Sequence, residues 1–101
     1  MIKIINSKRY NTNTAENLAP LPCSAGRGDF EYHDTSIYRS KNGSFFIAGR
    51  GNAASMWSER VGNMRGPGSG IRAVTDDEAK EYLEANDGID ALEKYFAIAD
   101  A

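Results

Sequence analysis

One cysteine, one histidine and three prolines stand among 101 residues, and each scarcity excludes something. A lone Cys23 cannot close an internal disulfide, and Cys23 with His33 falls short of the ligand set of a structural zinc. No structural metal is therefore expected, and the thiol usage points to a reducing, cytoplasmic setting. No apolar run approaches the roughly 18 residues of a membrane-spanning helix, and Met1–Tyr10 lacks the apolar stretch of a secretory signal. No membrane partner is expected. His33 has Glu31 and Asp34 nearby in sequence but no nucleophile placed to use it, since Cys23 lies in a loop bounded by proline and glycine. Catalytic residues, and with them an enzymatic activity, are not expected. Internal repeats and low-complexity tracts are absent as well.

What remains is ordinary globular material: 41% hydrophobic and 26% charged residues, enough for one core in one domain over residues 1–101. The charge, however, is unevenly placed. Residues 1–74 hold ten basic and five acidic side chains, whereas residues 75–101 hold nine acids against Lys80 and Lys94. This asymmetry fits a solvated acidic helix face beside a mildly basic sheet, or else surfaces selected by charge for binding.

Ile2-Lys3-Ile4-Ile5 reads as a first strand followed by a turn at Asn6-Ser7-Lys8. Tyr10–Thr14 continues as a second short strand or caps a helical turn through Thr14–Leu18. Pro20 and Pro22 stop any helix there, and Cys23–Asp29 reads as loop. Asn42-Gly43, between two strand-like runs, predicts a two-residue type I′ hairpin. That loop pairs Tyr38 with Ile47 and Ser40 with Phe45 on one face, leaving Ile37, Arg39, Phe46 and Ala48 on the other. Both faces are partly apolar, which places the hairpin in the middle of the domain. Asn52 is positioned to cap a helix over Ala53–Val61, with Trp57, Arg60 and Val61 on one side. Four glycines and Pro67 make Gly62–Gly70 a mobile loop, and Ile71–Val74 a further strand.

Thr75-Asp-Asp-Glu78 is a capping box opening a helix with Ala79, Tyr82 and Leu83 inward, ended by Asp87-Gly88. A weaker cap at Asp90 opens a last helix facing Leu92 and Phe96 inward. The fold class is thus α+β: a three- to four-stranded antiparallel sheet, a short helix after the central hairpin, and two C-terminal helices on one sheet face.

Gly49-Arg-Gly-Asn-Ala-Ala54 matches the G-x-G-x-x-A turn of dinucleotide-binding folds. That chemistry needs a parallel βαβ unit, whereas the strand before Gly49 belongs to an antiparallel hairpin. The expectation is a tight strand-to-helix turn and no cofactor. The acids of residues 76–93 do not follow the spacing of a calcium loop and space instead as the outer face of a helix. Trp57 reads more readily as core than as a contact residue.

Lys3-Ile-Ile-Asn-Ser-Lys-Arg-Tyr-Asn-Thr12, Ile37-Tyr-Arg39, Gly43–Gly51 and Val74-Thr-Asp-Asp-Glu-Ala-Lys-Glu-Tyr-Leu83 together resemble a group of small uncharacterised proteins. Those proteins sit on bacterial phages, plasmids and conjugative elements and read KIINGKRYDT…LYR…G.FFL.G.GG…LTEEEAKEW. This chain departs at Ser7, where glycine is usual, and in the stretch 62–70, whose length varies. The resemblance implies a mobile-element accessory protein, and small proteins of that setting, anti-CRISPR proteins among them, often block host defence by occluding a binding surface. The expected function is therefore a non-enzymatic inhibitor of a host complex, a Cas protein or ribonucleoprotein, with Asp76, Asp77, Glu81, Glu84 and Asp87 mimicking nucleic acid as the partner-binding face. The alternative is a small nucleic-acid-binding accessory protein using Arg50, Arg60, Arg65 and Arg72.

Overall fold

Short β-branched and aromatic runs separated by turn residues favour many brief strands over a few long ones. The computed structural model, which describes residues 1–101, has eight strands followed by two helices. The strands are β1 (Ile2–Ile5), β2 (Lys8–Asn11), β3 (Glu16–Pro20), β4 (His33–Arg39), β5 (Phe45–Gly51), β6 (Glu59–Val61), β7 (Met64–Gly66) and β8 (Gly68–Ala73). The helices are α1 (Asp76–Ala85) and α2 (Ile89–Tyr95). All pairings are antiparallel, but they form three sheets rather than one: a four-stranded sheet ordered β3-β4-β5-β8, and the separate ribbons β1-β2 and β6-β7.

The central hairpin exists, but its turn is one residue longer than expected. The Ser40 carbonyl accepts from the Gly43 N–H at 2.9 Å, and the Ser40 N–H donates to the Ser44 carbonyl at 2.8 Å. Only Gly43 is left-handed, at φ 87°, so Lys41-Asn42-Gly43 is a type I turn closed by a glycine bulge. The Ser40 hydroxyl stabilises it by accepting from the Ser44 N–H at 3.0 Å. Ile37 therefore pairs with Ile47, Tyr38 with Phe46 and Arg39 with Phe45. Because strand side chains alternate, this single residue carries the β4 side chains to the opposite face relative to those of β5. Ile37, Phe45 and Ile47 face the helices, whereas Tyr38, Phe46 and Ala48 face the β1-β2 ribbon.

Two thin cores result. On one face Ile37, Phe45 and Ile47 pack with Trp57, Ala79, Leu83, Ala91 and Leu92. On the other, Phe46, Ala48 and Ile71 pack with Tyr10 of the ribbon. Tyr10 meets Phe46 edge-on at 5.3 Å, and Tyr38 stacks on Phe46 at 5.2 Å.

Three other sequence expectations are corrected. No helix follows the central hairpin: Ala53–Trp57 forms turns, and Glu59–Val61 is strand β6. Asn52 does not cap a helix; its side-chain amide donates to the carbonyls of Arg27 at 3.1 Å and Asp29 at 2.8 Å. The Ala54 N–H likewise donates across the chain to the Phe30 carbonyl at 2.8 Å, so the local ladder never starts. Residues 62–70 are not a loop but the β6-β7 turn, β7 and the first half of β8. Of the two readings of Tyr10–Thr14, the strand holds in part, as the end of β2, whereas Thr14–Leu18 is no helical turn, since residues 16–20 pair with β4 as the sheet's outer strand.

The C-terminal helices agree closely with the sequence. Thr75 Oγ1 accepts from the Glu78 N–H at 3.1 Å, and Glu78 Oε1 accepts from the Thr75 N–H at 3.0 Å. Asp87 takes the left-handed position after α1, at φ 54°, and the Gly88 N–H returns to the Leu83 carbonyl at 2.8 Å. The N-cap of α2 is Gly88, with no side-chain bond, rather than Asp90. Instead α2 is tied down at its far end. The Tyr95 hydroxyl donates to the Glu16 carboxylate, Lys94 Nζ lies 3.7 Å from that carboxylate, and the Arg39 guanidinium sits 4.2 Å from the Tyr95 ring centre. Tyr95 first, and then the charge of Glu16, hold the Lys94 ammonium above its ordinary pKa.

Asn6 and Ser7 form the β1-β2 turn with φ 50° and 66°. Asparagine tolerates that region; serine carries the cost of its Cβ. Ser7→Gly is expected to raise stability by about 1 kcal/mol, read as a higher midpoint in urea. Thr75→Ala should cost about 1 kcal/mol at neutral pH through the lost cap. Glu78 belongs to the same box, and its carboxyl is held below its ordinary pKa chiefly by the Thr75 backbone N–H, then by the Thr75 side chain. A carboxylate lowered by folding adds stability that is complete above its unfolded pKa and disappears as pH falls through the folded value. The stability gap between wild type and Glu78→Ala should therefore narrow in acid, which urea titrations at pH 7 and pH 3 would measure.

Candidate functional site

The capping box fixes where α1 begins, and Ala79 and Leu83, both fully buried, fix which side faces the sheet. At about 100° per residue, Asp77, Glu81 and Glu84 then fall within an arc of about 60° on the outer side. All three are exposed. Asp76 is exposed at the first turn, where it complements the positive end of the helix, and Asp87 is exposed in the turn beyond the last. The structure thus gathers three of the five expected acids on one helix side and brings Asp76 and Asp87 to its two ends. Lys80 is the basic residue within α1, the last turn of α1 has no basic residue, and the ion pair of the structure, Lys94–Glu16, uses none of the five.

The arginines are arranged differently from the sequence expectation. Arg50 pairs with Ser69, and Ile47 with Arg72, so alternation places Arg50 and Arg72 on opposite faces of the same sheet. Arg72 lies on the helix side with its guanidinium 5.7 Å from the Trp57 ring centre. Arg60 and Arg65 are direct partners across the β6-β7 ribbon. Arg65 donates through Nε and Nη2 to Ser58 Oγ at 2.9 and 2.7 Å, while Arg60 stays exposed. Val61 and Met64 occupy the ribbon's other face at 64% and 74% exposure. The four arginines do not make one surface.

Around Arg50 the structure forms a cleft that sequence reasoning missed. Arg27, Tyr32, Asp34, Arg50, Asn52 and Glu59 line an open depression of about 650 Å³. A second depression of about 480 Å³ shares Asp34, Arg50 and Ser69 and continues over Ser36 and Ala48 toward Tyr38 and Asn17. Two guanidiniums and two carboxylates suit this cleft to a polar, charged surface rather than to an apolar ligand. The available signal was the pairing of Asp34 with Arg50, which follows once the hairpin register is known.

Trp57 belongs to the core. Its indole Nε1 donates to Thr35 Oγ1 at 2.7 Å, and His33 Nδ1 lies 2.8 Å from the same oxygen. Gly70 makes this possible, since a Cβ there would lie 3.1 Å from the indole ring. His33 is thereby engaged in the fold, and its backbone N–H donates to Cys23 Sγ at 3.4 Å. The G-x-G-x-x-A segment continues β5 through Gly51 and then turns; no helix follows to offer its N-terminus to a phosphate. No protein-family model, curated protein or solved structure matches the chain. No helix is long and apolar enough to cross a membrane.

Replacing Thr35 by valine keeps the shape but leaves the indole N–H buried without a partner. Thr35→Val is expected to cost about 1–3 kcal/mol. The measurement is denaturant unfolding followed by Trp57 fluorescence, and an unchanged midpoint would show that the indole bond carries no stability.

Proposed function

We propose that the protein is a non-enzymatic binding protein whose acidic helical side docks on a basic, nucleic-acid-binding surface of a partner complex and occludes it. The observation that carries this reading is the uncompensated group of Asp77, Glu81 and Glu84 along α1, extended by Asp76 and Asp87 at its ends. Asp76 serves the helix dipole and Glu78 the cap; Glu81 and Glu84 satisfy no backbone donor. Exposed like charges at this density contribute little to folding and repel slightly along a helix. They are, by contrast, suited to steering association with a basic groove. The resemblance to mobile-element proteins supplies the setting: inhibition of a host defence complex, in the manner of anti-CRISPR proteins.

A second reading has its own observation. The β6-β7 ribbon presents Arg60 and Arg65 side by side on one exposed face, an arrangement suited to phosphate contact. In that reading the protein is a small nucleic-acid-binding accessory protein.

One experiment separates them. Glu81→Lys, Glu84→Lys and Asp87→Lys combined should abolish inhibition of Cas-complex binding to DNA while leaving the circular dichroism spectrum unchanged. Association of the wild type with the complex should slow as salt rises. Full inhibition by the triple variant would sink the acidic-face mechanism. Direct, salt-sensitive binding of the wild type to bare duplex DNA, lost in Arg60→Ala with Arg65→Ala, would establish the second reading instead.

A further inference from the structure

We propose that the free edge of β8 receives one extended segment of a partner polypeptide, which joins the four-stranded sheet as a fifth strand. The proposal stands apart from the acidic side of α1 and does not depend on it. In an antiparallel pair, alternate residues direct both backbone groups toward the partner strand and the residues between direct them away. The Val74 N–H donates to the Phe45 carbonyl at 3.2 Å, and that bond sets the phase: Gly68, Gly70 and Arg72 bond toward β5. Ser69, Ile71 and Ala73 consequently point their N–H and C=O groups outward, where no strand is paired.

The two ends of this sheet are treated differently. At the β3 end, Pro20 lacks an N–H, the register shifts between Asn17 and Ala19, and Glu16 is engaged by Tyr95 and Lys94. Proline, bulges and occupied charges are the usual means of blunting an edge. The outward row of β8 has none of them.

That row is also recessed: Ser69 is exposed and Ala73 half-buried, whereas Ile71 between them is 4% exposed and is reached only between the flanking segments. A groove of about 700 Å³ has residues 69–73 as its floor, residues 3–6 as one wall and residues 56–59 as the other. Ile5 packs on the Tyr10–Phe46 core and Trp57 on the opposite one, so the walls rise from the two faces of the sheet. A single extended chain fits between such walls, whereas the β8 edge of a second copy would bring its own pair of walls against them. Ile4 and Met56 offer apolar surface at 58% and 37% exposure. Lys3 and Arg72 are exposed cations lining the groove, against Glu59. The groove therefore fits a segment that alternates apolar and acidic side chains, with backbone bonds supplying the affinity.

Amide hydrogen exchange on the full chain tests this, with a capped heptapeptide of alternating valine and glutamate as probe. Millimolar peptide should slow exchange at Ser69 and Ala73 about tenfold and leave Gly70 and Arg72, already bonded to β5, unchanged. A counterpart N-methylated at every amide should have no effect. Ser69→Pro, which removes an outward donor on an exposed residue, should weaken the peptide's effect while preserving the circular dichroism spectrum. Unaltered exchange with peptide overturns the proposal. So does equal protection by the N-methylated peptide, which would mark simple apolar contact, or protection that grows with protein concentration alone, which would assign the edge to a second copy.

Discussion

The register of β4 against β5 is the constraint on which the rest of the structure depends. The Ser40–Gly43 turn sets Ile37 opposite Ile47, and alternation then sends Phe45 and Ile47 to the helices and Phe46 and Ala48 to the ribbon. A slip of one residue would put Phe46 under α1 and Phe45 under Tyr10, and neither thin core could close. With 16 of 101 residues buried, there is little additional packing to correct such an error. The Ser40 hydroxyl and the left-handed Gly43 thus act far beyond their own turn.

Features decided by neighbours in sequence were legible in it. The capping box at Thr75 and Glu78, the inward Ala79 and Leu83, and the existence of the central hairpin all rest on contacts within a few residues. Residues 52–58 were not legible, because Asn52, Ala54 and Trp57 bond to Asp29, Phe30 and Thr35. The helical spacing of Trp57, Arg60 and Val61 carries no information about those distant partners. The β6-β7 ribbon did have a local sign: Gly62-Asn63 forms its two-residue turn, with Gly62 at φ 62°. Strands of three residues, set among glycines and a proline, hid it.

The candidate surfaces divide along the same line. The acids of α1 could be placed because helical geometry follows from the cap alone. The arginines could not, since the faces of Arg50 and Arg72 depend on the β5-β8 pairing, and the cleft joining Arg50 to Asp34 depends on the hairpin register. Charge counts thus identified residues 1–74 as basic without showing that their cations point in several directions.

The unequal sheet ends have a consequence for assembly. A strand edge that is open at both ends of a sheet allows head-to-tail stacking, in which each molecule presents a new acceptor for the next and the rotation need not close. Here the missing N–H of Pro20 and the displaced register at Asn17 interrupt the outward row of the β3 end. Under the proposed addition at β8, growth through the sheet would end after one strand, giving a finite complex rather than a fibre.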